Sequence, residues 1–336
     1  MADVLVVGAT GQLGSRAIQR LVGDGKHVVR ALVRPRSSAN LPFSGAHCHA
    51  GDLRDMASLK AACAGVDTVI ATATVVFPKG NYDFRQDEER GYANLIAACL
   101  DAGVGHIVFV SLCVPFERRF TRISATYAMK ERIEEMLAAS GIPHTILRCA
   151  PFMDDYFALI GSRIPLAGET AATLDRSRGL TRRLRHWMGD SIERRGVAVA
   201  PGPSTRRHAF VALQDVVGYL VGAVDQPPHA GLTLEIGGPE VLSWREVSNL
   251  YAQLLQRDIG LISIPAWLLA GLAWVIRPWS AALANQMAIL HILGGNDTHV
   301  ETGQVAGQYG VQPLTARVYL EGKGAAYGLA QREAVA

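Results

Sequence analysis

The chain has 336 residues, 49% of them hydrophobic and 19% charged, with a formal net charge of +3. That balance excludes a disordered chain and argues against a dedicated nucleic-acid binder. Cys48, Cys63, Cys99, Cys113 and Cys149 form no C-x-x-C pair and sit among apolar neighbours. They predict small buried hydrophobes in a reducing compartment, not a disulfide framework.

In chain order, Met1–Val4 has no basic, cleavable leader pattern, so a cytoplasmic protein is expected. Val4–Val7 predicts a buried strand and Gln12–Val22 a helix. Val28–Val33 and Ala46–Ala50 predict two more strands. His47-Cys48-His49 splits its side chains between two strand faces, and no metal site is expected there. Met56–Ala64 (helix), Thr68–Ala71 (strand), Glu88–Ala102 (helix), Ile107–Ser111 (strand), Ser124–Ala139 (helix) and Thr145–Cys149 (strand) continue the alternation. Such alternation implies right-handed crossovers and an α/β fold: a Rossmann-like, doubly wound parallel sheet covered on both faces.

After Pro151 the pattern loosens into a smaller, mostly helical C-terminal substrate region. Asp175–Arg195 carries seven arginines, with Leu180, Leu184, Trp187, Met188 and Ile192 at helical spacing, and predicts a basic amphipathic helix. Val197–Ala200 (strand), Gln214–Val224 (helix), Thr233–Ile236 (strand) and Trp244–Leu255 (helix) follow. Ile259–Ile276 has no charged residue, but Pro265 interrupts it, and Trp267, Trp274 and Trp279 punctuate or flank it. It is read as a buried helix roofing a pocket, with peripheral membrane or protein contact through 180–195 and 259–279 as the alternative. The expected division is 1–150 for the cofactor-binding domain, 151–325 for a substrate-binding or lid region interleaved with it, and 326–336 for a flexible tail.

Chemistry first appears at Gly8-Ala9-Thr10-Gly11-Gln12-Leu13-Gly14, directly between the first strand and the first helix. In that setting Gly8 permits a tight turn, Gly11 lets backbone approach a pyrophosphate, and Gly14 lets helix and sheet pack closely. The helix N-terminus adds N–H donors for phosphate. An NAD site places an acid at the end of the second strand, but no Asp or Glu lies between Lys26 and Gly51. Arg34, with Arg36 and Ser37 nearby, suits a 2′-phosphate instead, so NADP(H) is the expected cofactor. Asp52 is placed for an adenine amino group, Leu53 for the ring, and the small residues Thr72 and Ala73 for passage of the cofactor.

These motifs, with His106-Ile107-Val108-Phe109-Val110-Ser111, Lys130, Ser140-Gly141-Ile142-Pro143, His208-Ala209-Phe210-Val211 and Ile236-Gly237-Gly238-Pro239, resemble the atypical, NmrA-like short-chain dehydrogenase/reductases. The resemblance runs from residue 3 to about 250, and more loosely to 320. It implies one extended Rossmann-like core and a C-terminal region closing over the nicotinamide. It also implies either an NADPH-dependent reductase or a non-catalytic NADP(H) sensor or membrane-complex assembly factor. Typical short-chain reductases use Tyr-x-x-x-Lys; here Thr126 fills the tyrosine slot before Lys130.

Lys130 is therefore the expected cofactor-positioning cation, against an i,i+4 pair with Glu134. Only Lys26, Lys60, Lys79, Lys130 and Lys323 are lysines among 33 basic residues, which favours the first role. Tyr127 is the candidate proton donor and Ser111 the candidate substrate hydrogen-bonder. Phe152, Met153, Tyr156 and Phe210 are expected to line a pocket for a hydrophobic small molecule, with Trp267 and Trp274 as its lid. The expected reaction is hydride transfer to a carbonyl or activated C=C of an aromatic or polycyclic metabolite. Redox-neutral chemistry with retained NADP is the weaker alternative.

Overall fold

The computed structural model describes residues 1–35, 44–74, 84–113, 117–172, 174, 182 and 189–329. Among these, seven strands form one sheet: β1 (Asp3–Val7), β2 (Val28–Val33), β3 (His47–Ala50), β4 (Thr68–Ala71), β5 (His106–Leu112), β6 (His144–Cys149) and β9 (Leu232–Ile236). Their order is β3-β2-β1-β4-β5-β6-β9, and every neighbouring pair is parallel. The order reverses between β1 and β4, which creates the crevice where such sheets bind ligands. Val7 stands opposite both Leu32 and Ala71, so Gly8, Arg34 and Thr72 emerge at the same end of the sheet.

The apolar strands need cover on both faces, and the helices supply it. Helices α1 (Gln12–Asp24) and α8 (Leu213–Asp225) cover one face, with Ile18, Leu21, Val216 and Leu220 packed on Val4, Val6 and Val108. Helices α2 (Met56–Cys63), α3 (Phe84–Ala102) and α5 (Ala125–Ser140) cover the other, burying Leu59, Leu95 and Ile133 against Leu5, Val7 and Phe109. Burying each of these large side chains contributes about 2 kcal/mol. Two helices not expected from the sequence are α4 (Arg118–Ile123) and α6 (Met153–Leu159).

The remaining helices are α7 (Ser191–Arg195), α9 (Trp244–Leu255), α10 (Ala266–Ile276), α11 (Ala281–Gly295), α12 (Gly303–Gln308) and α13 (Ala316–Tyr327). A third core gathers Phe157, Phe210, Trp244, Tyr251, Leu293 and Tyr319. This C-terminal part is interleaved with the sheet, because β9 completes the sheet beside β6, while the short strands β8 (Arg207–His208) and β10 (Leu242–Ser243) pair antiparallel.

Three expectations change. The charge-free stretch 259–276 is not one buried helix. Its first part is strand β11 (Gly260–Ile264), parallel to β7 (Val197–Pro201), and Pro265 then starts α10. Within α10 only Leu269 is buried, and Trp267 and Trp274 are 73% and 80% exposed, so neither is a lid. Cys48 is exposed, because β3 is an edge strand with little over it, while the other four cysteines are buried. The expected basic helix does not run unbroken to Arg195: a turn at Gly189 and Asp190 precedes α7, and Leu180, Leu184, Trp187 and Met188 lie outside the described residues. No helix among the described residues is long and apolar enough to cross a membrane.

Candidate active site

The glycine loop leaves β1 with Gly8 at φ +91°, a conformation that side chains resist. A Cβ on Gly8 would lie 2.6 Å from Ala73 N and 2.7 Å from Thr72 Oγ1. A Cβ on Gly14 would overlap the Gly8 carbonyl oxygen. Thr72 anchors the turn from beneath: its N and Oγ1 both donate to Val7 O, at 2.9 and 3.1 Å. Thr72 and Ala73 thus seat the loop itself. Gly11 caps α1 with no side-chain hydrogen bond, and Thr10 and Gly11 are half-exposed at the tip. Gln12 and Leu13 turn their side chains inward, so their contribution to a phosphate would come from backbone N–H groups.

Arg34 is exposed just beyond β2, and Arg36 and Ser37 lie outside the described residues. Asp52 is committed more firmly than its sequence suggested. Its carboxylate accepts from Arg54 Nε at 3.0 Å, Arg54 Nη2 at 2.8 Å and Arg54 N at 3.0 Å. The Arg54 side chain holds the carboxyl down at about 2, and Arg34 adds to the pull. Leu53 is half-buried, and its carbonyl accepts from Asn94 Nδ2 at 3.0 Å.

Candidate catalytic groups gather at the C-terminal ends of β5 and β6. Ser111 is 1% exposed, and its Oγ has no hydrogen-bond partner among the described residues. Lys130 reaches from α5 to the same strand end. Its Nζ donates to Val110 O at 2.7 Å and sits 4.5 Å from the centre of the Phe109 ring. Burial pushes its ammonium below the usual lysine range, against the pull of Glu88, Cys149 and Glu134. The Glu134 carboxylate instead takes a bidentate grip from Arg148, with Nη2 at 2.6 Å. Tyr127 packs edge-on to Phe120 beside Ile292. Burial, followed by the nearby Tyr156 and Cys113, raises its phenol well above the usual value.

Thr126, in the tyrosine slot, belongs to a different network. Asn285 of α11 donates to Thr126 Oγ1 at 2.7 Å and accepts from Thr126 N at 3.3 Å and Ser124 Oγ at 3.0 Å. Phe152 and Tyr156 are half-buried at α6, whereas Met153 is 2% exposed. Phe210 is core: it packs between Phe157 and Trp244, with ring centres 5.0 and 5.1 Å away. Trp267 stands apart on α10.

A model of the NAD(P)H-binding family matches residues 8–178, just over half of the chain. The chain belongs to that family. A phenylcoumaran benzylic ether reductase of Nicotiana tabacum is 26% identical over 277 residues, covering 79% of this chain and 78% of the relative. A photosystem II assembly factor of Trieres chinensis is 25% identical over 298 residues, covering 87% and 82%. The solved triphenylmethane reductase of Citrobacter sp., complexed with NADP(H), superposes with a TM-score of 0.68 at 19% identity, covering 96% and 99%. These likenesses agree with the NmrA-like pattern in the sequence.

The residues present fit an NAD(P)H cofactor. The glycine cradle would be filled by any Cβ, the helix cap is a bare glycine, and both lie at the sheet's switch point. One element of this NAD(P)H-binding protein escaped the sequence. Glu169 accepts from Gln12 Nε2 at 3.2 Å and pairs with Arg16 and Lys323. The same two cations face the buried Asp154, at 3.6 and 4.0 Å. Burial raises the Asp154 carboxyl, opposed by Leu213 N and the two cations. The first turn of α1 is thereby tied to α13. The only sequence signal was the rarity of lysine, since Lys323, like Lys130, has little solvent access.

Proposed function

We propose that this protein is an NADPH-dependent reductase of a hydrophobic, aromatic or polycyclic carbonyl or activated alkene. The observation that carries the reading is the Ser111 hydroxyl, buried without a partner at the C-terminal end of β5. A buried hydroxyl without a partner, beside Lys130 at the end of the sheet where such folds bind ligands, is accounted for when a ligand supplies its partner. Bound NADPH would supply the hydride. Arg34 would pair with the 2′-phosphate, and backbone N–H groups from Gly11 to Leu13 would hold the pyrophosphate. Lys130, anchored by Val110 O one residue before Ser111, would offer its remaining donors to the nicotinamide ribose. Ser111 would orient the substrate oxygen. Tyr127, kept protonated by burial, serves at neutral pH as a donor rather than a base. Phe152 and Tyr156 would supply apolar walls.

Stopped-flow oxidation of NADPH over a panel of quinones, enones and aromatic ketones tests this. Turnover that falls with Ser111→Ala supports it. Tight NADPH binding with silence across the panel would favour the second reading, a non-catalytic NADP(H) sensor or assembly factor. That alternative draws on the Thr126 hydroxyl being consumed by Asn285 and on the assembly-factor relative. Substrate turnover without net cofactor oxidation would point to redox-neutral chemistry.

A further inference from the structure

We propose that the outer face of α10 docks on an anionic lipid surface, with its helix axis lying in the membrane plane. Between Asp258 and Asp297 the only formally charged residue is Arg277. This stretch folds into the hairpin of α10 and α11. Asn285 pins α11 to the body, and His291 Nδ1 lies 2.8 Å from Ala266 O, fastening α10 to α11. Leu269 alone of α10 is buried, so the hairpin leaves a whole helix face without a partner.

Helical spacing makes that face continuous. Trp267 and Trp274 are two turns apart on one stripe, Leu268, Leu272 and Val275 follow the adjacent stripe, and Trp279 lies in the turn just beyond the helix. Trp267, Trp274 and Trp279 are 73%, 80% and 74% exposed. The three indoles alone present on the order of 500 Å², near the upper end for the largest apolar patch of a monomer.

Three observations select a lipid occupant. First, the face offers indoles and aliphatic groups with no carboxylate or amide among them, which suits the headgroup–acyl boundary. Second, α10 is about 16 Å long at helical rise, too short to cross a bilayer but long enough to lie in its interface. Third, the rim is basic. The exposed Arg277 ends α10, and the hairpin between Asp258 and Asp297 contains no carboxylate side chain. The hairpin therefore presents a net positive charge toward phosphate headgroups. The proposal is independent of the reductase reading.

The test is flotation of the full chain with vesicles of phosphatidylcholine alone and of phosphatidylcholine mixed with phosphatidylglycerol. The expected result is flotation with the anionic vesicles, weakened by salt, with indole emission quenched by brominated acyl chains. Trp267→Ser and Trp274→Ser should each lower partitioning by on the order of tenfold. Their melting temperature and NADPH affinity should match the parent, because both side chains are exposed. Flotation indifferent to lipid charge or to these substitutions overturns the proposal. So does failure to float, or a dimer in solution that the same substitutions dissociate.

Discussion

Helix α1 contains two glycines for which the same substitution should act in opposite directions. Gly23 has open space around its missing Cβ, so Gly23→Ala gains helix propensity and costs no packing. Alanine in a helix is favoured over glycine by about 0.8–1 kcal/mol, so stability should rise by up to that amount, less near the helix end. Gly14→Ala receives the same gain but inserts a methyl 2.9 Å from both the Gly8 carbonyl carbon and Thr72 Oγ1, and closer still to the Gly8 carbonyl oxygen. Two of these neighbours are backbone, and the third is tethered to Val7 O. Nothing flexible can yield, and overpacking of this kind costs about 1–3 kcal/mol or more. The clash therefore outweighs the propensity, and net destabilisation of about 1–2 kcal/mol is expected. Urea melts of both variants measure the difference, and fluorescence titration with NADPH should show weaker binding for Gly14→Ala alone. A Gly14→Ala protein as stable as the parent, binding NADPH equally well, would refute the argument that helix and loop are in contact through that missing methyl.

Arg34→Glu should weaken NADPH far more than NADH in parallel titrations; equal losses would remove the 2′-phosphate assignment. Ser111→Ala should lower kcat/KM by about 10- to 100-fold, while NADPH affinity stays unchanged and stability holds, because the hydroxyl has no partner to lose. His208, held in an aromatic cage with its imidazole pushed by burial down to about 4, carries a sign that can be worked out. Between pH 6.5 and 4 the unfolded chain binds the proton and the folded chain does not, so stability falls with pH across that window by up to about 3 kcal/mol. His208→Phe should flatten that part of the pH dependence in urea melts at pH 7 and 4.5. Asn285→Ala leaves Ser124 and Thr126 short of buried partners and should cost about 2–3 kcal/mol by the same assay.

The sheet was legible because a buried parallel strand is an apolar run of fixed length, and a strand–glycine–helix junction has few other uses. The bounds of α9 and β2 agree with the sequence reading to the residue. The site was legible only where backbone geometry dictates residue type, as at Gly8 and Gly14. Side-chain commitments were less visible. Asp52 has the residue type expected of an adenine contact, yet Arg54 two positions on takes its carboxylate. Nothing local in the sequence could weigh those two acceptor roles. Asn285 and Thr126 are separated by a long stretch of chain, so their pairing has no periodic trace. The stretch 259–276 differs from expectation because absence of charge does not say whether apolar side chains are covered or exposed.

The missing tyrosine and the exposed tryptophans then have a common structural origin. Thr126 is 9% exposed and spends both its hydroxyl and its N–H on Asn285. A tyrosine there would drive its ring into the space that Asn285 occupies and detach α11 from the start of α5. The departure from Tyr-x-x-x-Lys is thus coupled to docking of the C-terminal hairpin. Docking also presses Ile292 of α11 against Tyr127, which fixes the one tyrosine left on that turn. With α11 held on its inner side by Asn285 and Ile292, α10 can only stack outside it, and its indoles face away from the body. It follows that Thr126→Tyr should not restore a reductase dyad. It should instead loosen the hairpin, lowering stability and disturbing Tyr127 together. A Thr126→Tyr protein of parental stability and higher turnover would break that coupling.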